Sequence, residues 1–323
     1  MNAEVTAEPL PPALVVEEES KDLGFGSVVA ERSRQRFVNR DGSFNAQRTG
    51  LPFWSSLSPY HLLLTVSWGK FLSLMTLWFV LLNAAFALAY LACGAGALSG
   101  NRIEHNYGAF WQAFFFSVHT FATIGYGNVS PVGMAANIIV VIESLAGLLA
   151  TALITGLIFA RFSRPTARIE FSNQAVIAPY KNITAFMFRI TNARKTQLIG
   201  VEAKVNLSLY AGGNGPTNRR FHQLTLERSR VDVFPLSWTI VHPIDEDSPL
   251  HDYTENMLRQ TDPEFVIMLT AVDETSAQMV HTRSSYKTSE IVWGAKFSNI
   301  YEPIAEDEPI TIDVGKLHDI EKV

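Results

Sequence analysis

Two glycines one residue apart, Gly125 and Gly127, sit in the stretch FATIGYGNVSP between two long apolar runs. The chemistry this spacing permits is cation binding by backbone oxygen. A strand can turn successive carbonyls to one side if alternate residues adopt φ > 0, which glycine does without steric penalty. Thr123, Ile124, Gly125 and Tyr126 would then present stacked carbonyls, joined by the Thr123 hydroxyl, that replace the hydration shell of an ion. One strand cannot close a ring around an ion, so four copies are required. Irregular backbone at bilayer depth also survives only where it is buried in protein or lines water.

The elements needed to place such a strand are legible around it. No Asp, Glu, Lys or Arg occurs from Phe71 to Asn101. A second apolar run extends from Val132 to Ala160 and ends at RFSRP. A helix needs about 20 apolar residues to cross the hydrocarbon layer, so both runs can span. Between them AFWQAFFFSVHTFAT is apolar but too short to cross, which suits a re-entrant helix that dips in and returns through TIGYG. Its negative C-terminal dipole would face an entering cation. Arg32, Arg34, Arg36, Arg40, Arg48 and Lys70 precede the first span, Arg161, Arg164 and Arg168 follow the second, and only Arg102 lies between. The positive-inside bias predicts a multi-pass membrane protein with both termini in the cytoplasm and the connection outside.

Beyond Arg168 the texture changes to short segments of near-alternating polarity, such as NITAFMFRITN and LIGVEAKVNLSLYA, separated by turn residues. These predict an all-β sandwich, with SPLHDYTENMLRQTD as a helical insert. Before the first span, RFVNRDGSFNAQ has Asp-Gly turn chemistry, and FWSSLSPYHLLLTVSW places Trp54, Leu57, Tyr60 and Leu64 at helical spacing, as in an interfacial amphipathic helix. The expected division is an acidic, disordered tail over 1–35, a strand segment and interfacial (slide) helix over 36–66, a pore domain over 67–164 and a β-domain over 165–323. Within the pore domain the outer helix is expected at about 68–94, the pore helix at 108–122, the filter at 123–127 and the inner helix at 131–162.

Composition agrees and excludes other classes. The 323 residues are 47% hydrophobic with mean hydropathy +0.11, between the values of soluble and wholly membrane-embedded chains. A formal charge of −5 gives no case for nucleic acid as a partner. The single cysteine, Cys93, lies in an apolar run and excludes a disulfide framework or cysteine-rich metal site. The N-terminal residues lack the basic and apolar regions of a secretory signal. There is no phosphate-binding glycine loop, no HExxH, no nucleophile elbow and no span with a basic residue at every third position, so neither an enzyme nor a voltage sensor is indicated. No cofactor is expected.

TIGYG between two spans, after an aromatic re-entrant helix, resembles the selectivity filter of potassium channels. RFVNRDGSFN, YHLLLTVSW, ITGLIFARFSRP, VEAKV, HPIDEDSPL and DETSAQ are similar, in the same order, to segments of inward-rectifier potassium channels, especially the bacterial branch. The resemblance covers roughly Arg36 to Tyr301. It implies a membrane α-helical two-span pore domain with a re-entrant pore helix, joined to a cytoplasmic all-β immunoglobulin-like sandwich and assembled as a homotetramer, with K⁺ as permeant ligand and the only metal ion, held at the filter.

The resemblance assigns further roles. Glu143, the only Asp, Glu, Lys or Arg between His105 and Ala160, corresponds to an inner-helix glutamate behind the filter, and its alternative is a carboxyl facing cavity water. His119 stands where the family usually has a glutamate and Asn128 where many potassium channels have aspartate, so filter support is altered on both sides. Thr151 occupies the pore-facing position whose acid favours block by polyamines or Mg²⁺. Glu202 corresponds to an acid lining the cytoplasmic pore. Gly147 and Gly156 are either hinges or sites of close helix packing, and Phe159 corresponds to the cytoplasmic constriction. Arg161, Arg164 and Arg168 are expected to meet anionic lipids or phosphoinositides, or to act only as topology determinants. Two alternatives stay open: a poorly selective cation channel, and a membrane-anchored ligand-sensing receptor with a non-conducting pore.

Overall fold

A computed structural model describes residues 35–46, 50, 58–100, 108–164, 168–194, 196–210, 219–234, 236–302 and 309–323. The acidic tail before Gln35, together with Trp54, Leu57 and Arg102, lies outside them. The chain divides into two compact units, Gly50–Arg164 and Met1–Thr49 with Pro165–Val323.

The first unit is helical. Helix α1 (Pro59–Thr65) begins with proline at its first position, where the missing N–H costs no hydrogen bond, and ends where Val66 becomes extended. Helix α2 (Trp68–Ala92) and helix α4 (Gly133–Phe162) have 25 and 30 residues, hence lengths of about 38 and 45 Å at 1.5 Å per residue. Both are long and apolar enough to cross a membrane. Helix α3 (Ala109–Phe121), with 13 residues, is about 20 Å long and too short to cross. Its aromatic side chains seat it on α2: Phe116 meets Tyr90 edge-to-face at 5.2 Å, and Phe121 lies against Phe79 at 5.6 Å and Trp78 at 6.2 Å. Strands β1 (Leu98–Gly100) and β2 (Val129–Pro131) pair antiparallel and tie the chain after α2 to the chain after Gly127. Gly100 is required there, because a Cβ would lie 2.1 Å from the Asn128 carbonyl oxygen.

The second unit is a sandwich of two five-stranded sheets. One has the order β11 (Gln278–Lys287), β10 (Glu264–Asp273), β6 (Leu198–Tyr210), β7 (Arg219–Leu224), with β8 (Arg230–Phe234) also on β6. The other has the order β12 (Ile291–Trp293), β4 (Ala175–Tyr180), β5 (Ile183–Asn192), β3 (Ile169–Phe171), with β9 (Ser237–Ile244) also on β5. VEAKV shows why the strands have one dry face: Val201, Ala203 and Val205 are buried, while Glu202 and Lys204 point away. Phe186 of one sheet stacks on Phe265 of the other at 4.1 Å, in a core completed by Ile177, Ile240, Leu207 and Ile267. Each such side chain contributes roughly 1.5–3 kcal/mol on burial. Helix α5 (Glu255–Gln260) is the insert, capped by the Thr254 hydroxyl, which accepts from Met257 N at 3.3 Å. The chain's last segment also joins this unit. Strand β14 (Ile320–Lys322) pairs with β13 (Ala295–Phe297), and Leu317 is fully buried.

His242 in β9 couples this unit to pH. Its Nδ1 lies 2.6 Å from the Thr225 carbonyl, to which only an Nδ1–H can donate, so in the neutral ring Nε2 accepts from the Ser248 hydroxyl at 2.8 Å. Burial holds the imidazole below its ordinary pKa of 6.5, outweighing the carbonyl and Asp245, which favour the charged form. A lowered folded-state pKa means that the unfolded chain binds the extra proton more readily, so the contribution is intact above about pH 6.5 and is lost as the pH falls. The thermal midpoint followed by β-sheet circular dichroism should therefore drop between about pH 7 and pH 5. The His242→Gln variant should show a shallower drop, and equal slopes would assign the acid sensitivity elsewhere.

Candidate functional site

The stretch from Thr123 to Gly127 is built on the end of α3. Thr123 N–H donates to the Thr120 carbonyl at 3.1 Å, and Ile124 N–H reaches back to the His119 carbonyl at 2.8 Å. Those two bonds, with Thr123 at φ +56°, form a Schellman cap, the usual stop of a helix whose next residue is left-handed. Gly125 N–H also points at the His119 oxygen, at 3.3 Å. The left-handed conformation then recurs at Gly125 (φ +60°) and Gly127 (φ +78°). Three left-handed residues at alternate positions supply the condition for carbonyls aligned on one side. Glycine carries two of them, and Thr123 carries the third at a strain of order 1 kcal/mol that the cap offsets. That third member was not legible from glycine spacing. All residues from Thr123 to Asn128 are exposed in the single chain, as a surface completed by neighbouring copies would be.

Behind the strand, the His119 ring meets the Tyr126 ring edge-on at 4.9 Å. Asn128 contributes its backbone to the approach of Gly100. Glu143 is fully buried and does not face open water. Tyr90 of α2 donates to its Oε2 at 2.5 Å, and the Ser117 hydroxyl of α3 bonds its Oε1. Ser117 in turn donates to Asn83 Oδ1 at 2.9 Å. These three partners escaped the sequence reading, although Asn83 is the one amide between Phe71 and Gly100 and Ser117 lies among aromatics.

The other site residues separate into distinct settings. Gly147 is buried, and a Cβ on it would stand 2.4 Å from the Phe121 carbonyl oxygen, so α4 and the end of α3 meet backbone to backbone. Gly156 has nothing within 4 Å of its Cβ position. Thr151 is exposed and its hydroxyl bonds the Gly147 carbonyl at 3.0 Å, while Phe159 is 71% exposed. Arg161 does not extend outward with Arg164. Its guanidinium donates to the carbonyls of Leu63 and Val66 at the end of α1, the latter at 2.6 Å, and lies over the rings of Trp68 and Phe71. It acts there as a cation at a helix C-terminus. Arg164 and Arg168 are exposed. In the second unit, Glu202 is half-buried, 3.4 Å from Lys204 Nζ, and paired in register with Arg230. Among the described residues no cluster of metal-ligating side chains occurs.

Residues 169–323 match the family model for the inward rectifier potassium channel C-terminal domain, and residues 75–164 match that for an ion channel. The chain is 43% identical over 300 residues to the inward rectifier potassium channel Kirbac3.1 of Paramagnetospirillum magnetotacticum, spanning 91% of this chain and 99% of the relative. The chain belongs to the inward-rectifier potassium channel family. It is 29% identical to the ATP-sensitive inward rectifier potassium channel 12 of Gallus gallus, over 92% of this chain and 73% of that one. It is 35% identical to the inward rectifier potassium channel 4 of Mesocricetus auratus, over 65% of this chain and 49% of that one. The match to the C-terminal domain runs to Val323, past Tyr301, where the motif resemblance stops, in keeping with the pairing of β14 onto the sandwich. The protein is thus a membrane-embedded potassium channel of inward-rectifier type and not an enzyme, with a two-span pore domain and a β-sandwich domain.

Proposed function

We propose that four copies of the chain surround one pathway in which Thr123, Ile124, Gly125 and Tyr126 offer carbonyl rings, with the Thr123 hydroxyl, to dehydrated K⁺, while Gly127 ends the strand. The observation that carries this is the alternation of left-handed residues at 123, 125 and 127 on the capped end of α3. Conduction is passive, because such sites bind well enough to strip water yet release the ion to the next site. His119, Asn128 and Glu143 hold the strand from behind. Gating takes place at the cytoplasmic end of α4, where four Phe159 rings would narrow and dry the pore, with bending at Gly156. Both termini and the sandwich lie in the cytoplasm of a cell bounded by the inner membrane.

Anionic lipids or phosphoinositides meet Arg164 and Arg168, each worth about 1 kcal/mol at a charged leaflet. Arg161 contributes instead through the end of α1, transmitting movement of the interfacial helix to α4. Block by polyamines or Mg²⁺ is weak at Thr151, which carries no charge, and weak at Glu202, whose charge is shared with Lys204. Exposed pairs of this kind are worth up to about 1 kcal/mol. The Lys204→Ala variant should therefore tighten half-blocking Mg²⁺ or spermine concentrations by up to about fivefold. An unchanged value would place Glu202 away from the ion path.

The deciding experiment is radioactive rubidium uptake into K⁺-loaded liposomes, competed by external K⁺ or Na⁺, with and without anionic lipid. Suppression by K⁺ alone supports the selective pore. Equal suppression by both ions would mean that His119 and Asn128 have loosened the filter, and no uptake under any lipid condition would favour a non-conducting receptor.

A further inference from the structure

The hydrogen-bond chain behind the filter fixes where its protons sit. Asn83 Nδ2 lies 2.8 Å from the Phe79 carbonyl, which can only accept, so the amide nitrogen faces Phe79 and the amide oxygen faces Ser117. That oxygen accepts only, so the single Ser117 hydroxyl proton is directed at Asn83. Tyr90 brings one further proton, directed at Glu143 Oε2. The contact between Ser117 Oγ and Glu143 Oε1 then joins two oxygens with no proton left to share, unless the carboxyl supplies it.

Among the described residues nothing nearby compensates a charge. None of the ion pairs among the described residues includes Glu143, and a buried carboxylate without a cation is strongly disfavoured. The groups facing it are Tyr90 and Asn83 from α2, with Cys93 beside Tyr90, and Ser117 from α3, while α4 adds no other titratable side chain between Gly133 and Ala160. His119, two residues beyond Ser117, is engaged with Tyr126. Because Glu143 has no exposed surface in a single subunit, a neighbouring copy cannot reach it directly.

We infer that Glu143 is held as a neutral carboxylic acid that donates to Ser117, so that Tyr90, Glu143, Ser117, Asn83 and the Phe79 carbonyl form a one-way chain positioning α3, and with it the filter. Ionisation would pull the Ser117 proton back to Glu143 and leave the Asn83 oxygen buried without a donor. Glutamine satisfies the same pattern, its NH₂ donating to Ser117 and its oxygen accepting from Tyr90. Aspartate, one methylene shorter, cannot reach both.

The inference builds on the proposed pore only for its effect on flux, and its first test is independent of transport. Infrared spectra of the full-length channel grown with heavy-carbon glutamate should show, at neutral pH, an isotope-shifted protonated-carboxyl stretch that resists exchange into heavy water. The band should vanish in Glu143→Gln. Its absence from the wild-type channel, or its persistence in the variant, would overturn the inference. In the flux assay Glu143→Gln, which keeps both hydrogen bonds, should lose less K⁺ discrimination than Glu143→Asp and Ser117→Ala, which should lose it by tenfold or more, and an equal loss in all three would overturn the one-way chain. If Glu143→Gln does not assemble, absence of the band from the wild-type channel still overturns the inference, and a frequency shift of the band in Tyr90→Phe, which removes one hydrogen bond to Glu143, assigns it, whereas an unshifted band overturns it.

Discussion

Replacing Gly147 with alanine should damage K⁺ discrimination, where the same change at Gly156 should not. The added methyl at 147 would meet the Phe121 carbonyl oxygen at 2.4 Å, with Phe121 C and Cα at 3.2 and 3.3 Å. These are backbone atoms of the last residue of α3, two positions before Thr123. They cannot retreat, because the Phe121 ring is pinned on its other side by Trp78 and Phe79 of α2. Overpacking of this kind costs about 1–3 kcal/mol, against roughly 1 kcal/mol regained from helix propensity. Relief by shifting α3 displaces the Schellman cap and with it Thr123, the first residue of the proposed filter. The expected result is at least a tenfold loss in the ratio of K⁺ to Na⁺ competition, about 1.4 kcal/mol of discrimination. Gly156→Ala meets no such contact, so it should leave discrimination intact and change only how readily the pore opens. If Gly147→Ala also altered opening alone, its role would be that of a hinge and not of a close contact.

The same pair of glycines marks what the sequence can and cannot convey. Apolar length and near-absence of charge disclose two helices able to cross a membrane, because crossing hydrocarbon admits few solutions. Alternation gives the sandwich strands, since VEAKV and its like have one dry face. Gly125 and Gly127 announce a left-handed strand because only glycine takes φ > 0 freely. The left-handed Thr123 stays hidden, its conformation being imposed by the cap of α3 and not by its own type. Gly147 and Gly156 look alike in one dimension, and only the approach of Phe121 separates them. Arg161 and Arg164 likewise share a basic run, yet one folds back on α1. Partners for Glu143 come from two other helices, and a polar side chain in a span does not name its partner.

Glu264→Ala should destabilise the sandwich unit by about 3–5 kcal/mol, the usual cost of removing one member of a buried ion pair. Glu264 is fully buried at the start of β10. Its carboxylate accepts the Phe37 N–H at 2.9 and 3.0 Å and the Val38 N–H at 3.1 Å, with Arg219 Nη2 at 3.9 Å and Lys287 Nζ at 4.0 Å. Phe37 and Val38 are themselves buried, and Arg219 lies over the Phe37 ring. The same segment is held by Arg36 on Glu290 at 2.6 Å, by Arg40 on the Ser172 carbonyl at 2.6 Å, and by Ser284 and Ser285 of β11 donating to the carbonyls of Arg40 and Val38. It thereby covers an edge strand that would otherwise be open to pairing with another chain. Alanine leaves two backbone donors without their acceptor and a buried guanidinium without its carboxylate. For a unit of this size the thermal midpoint should fall by roughly 10 °C, and trypsin should cut at Arg36 and Arg40 well before the sandwich unfolds. Removing the Arg219 charge as well, in Glu264→Leu with Arg219→Leu, should restore part of the midpoint but not the protection of the segment, which has still lost the Glu264 carboxylate as acceptor. A shift below about 1 kcal/mol in the single variant would show that water enters and solvates Arg219, and that Arg36 and Arg40 alone hold the segment down.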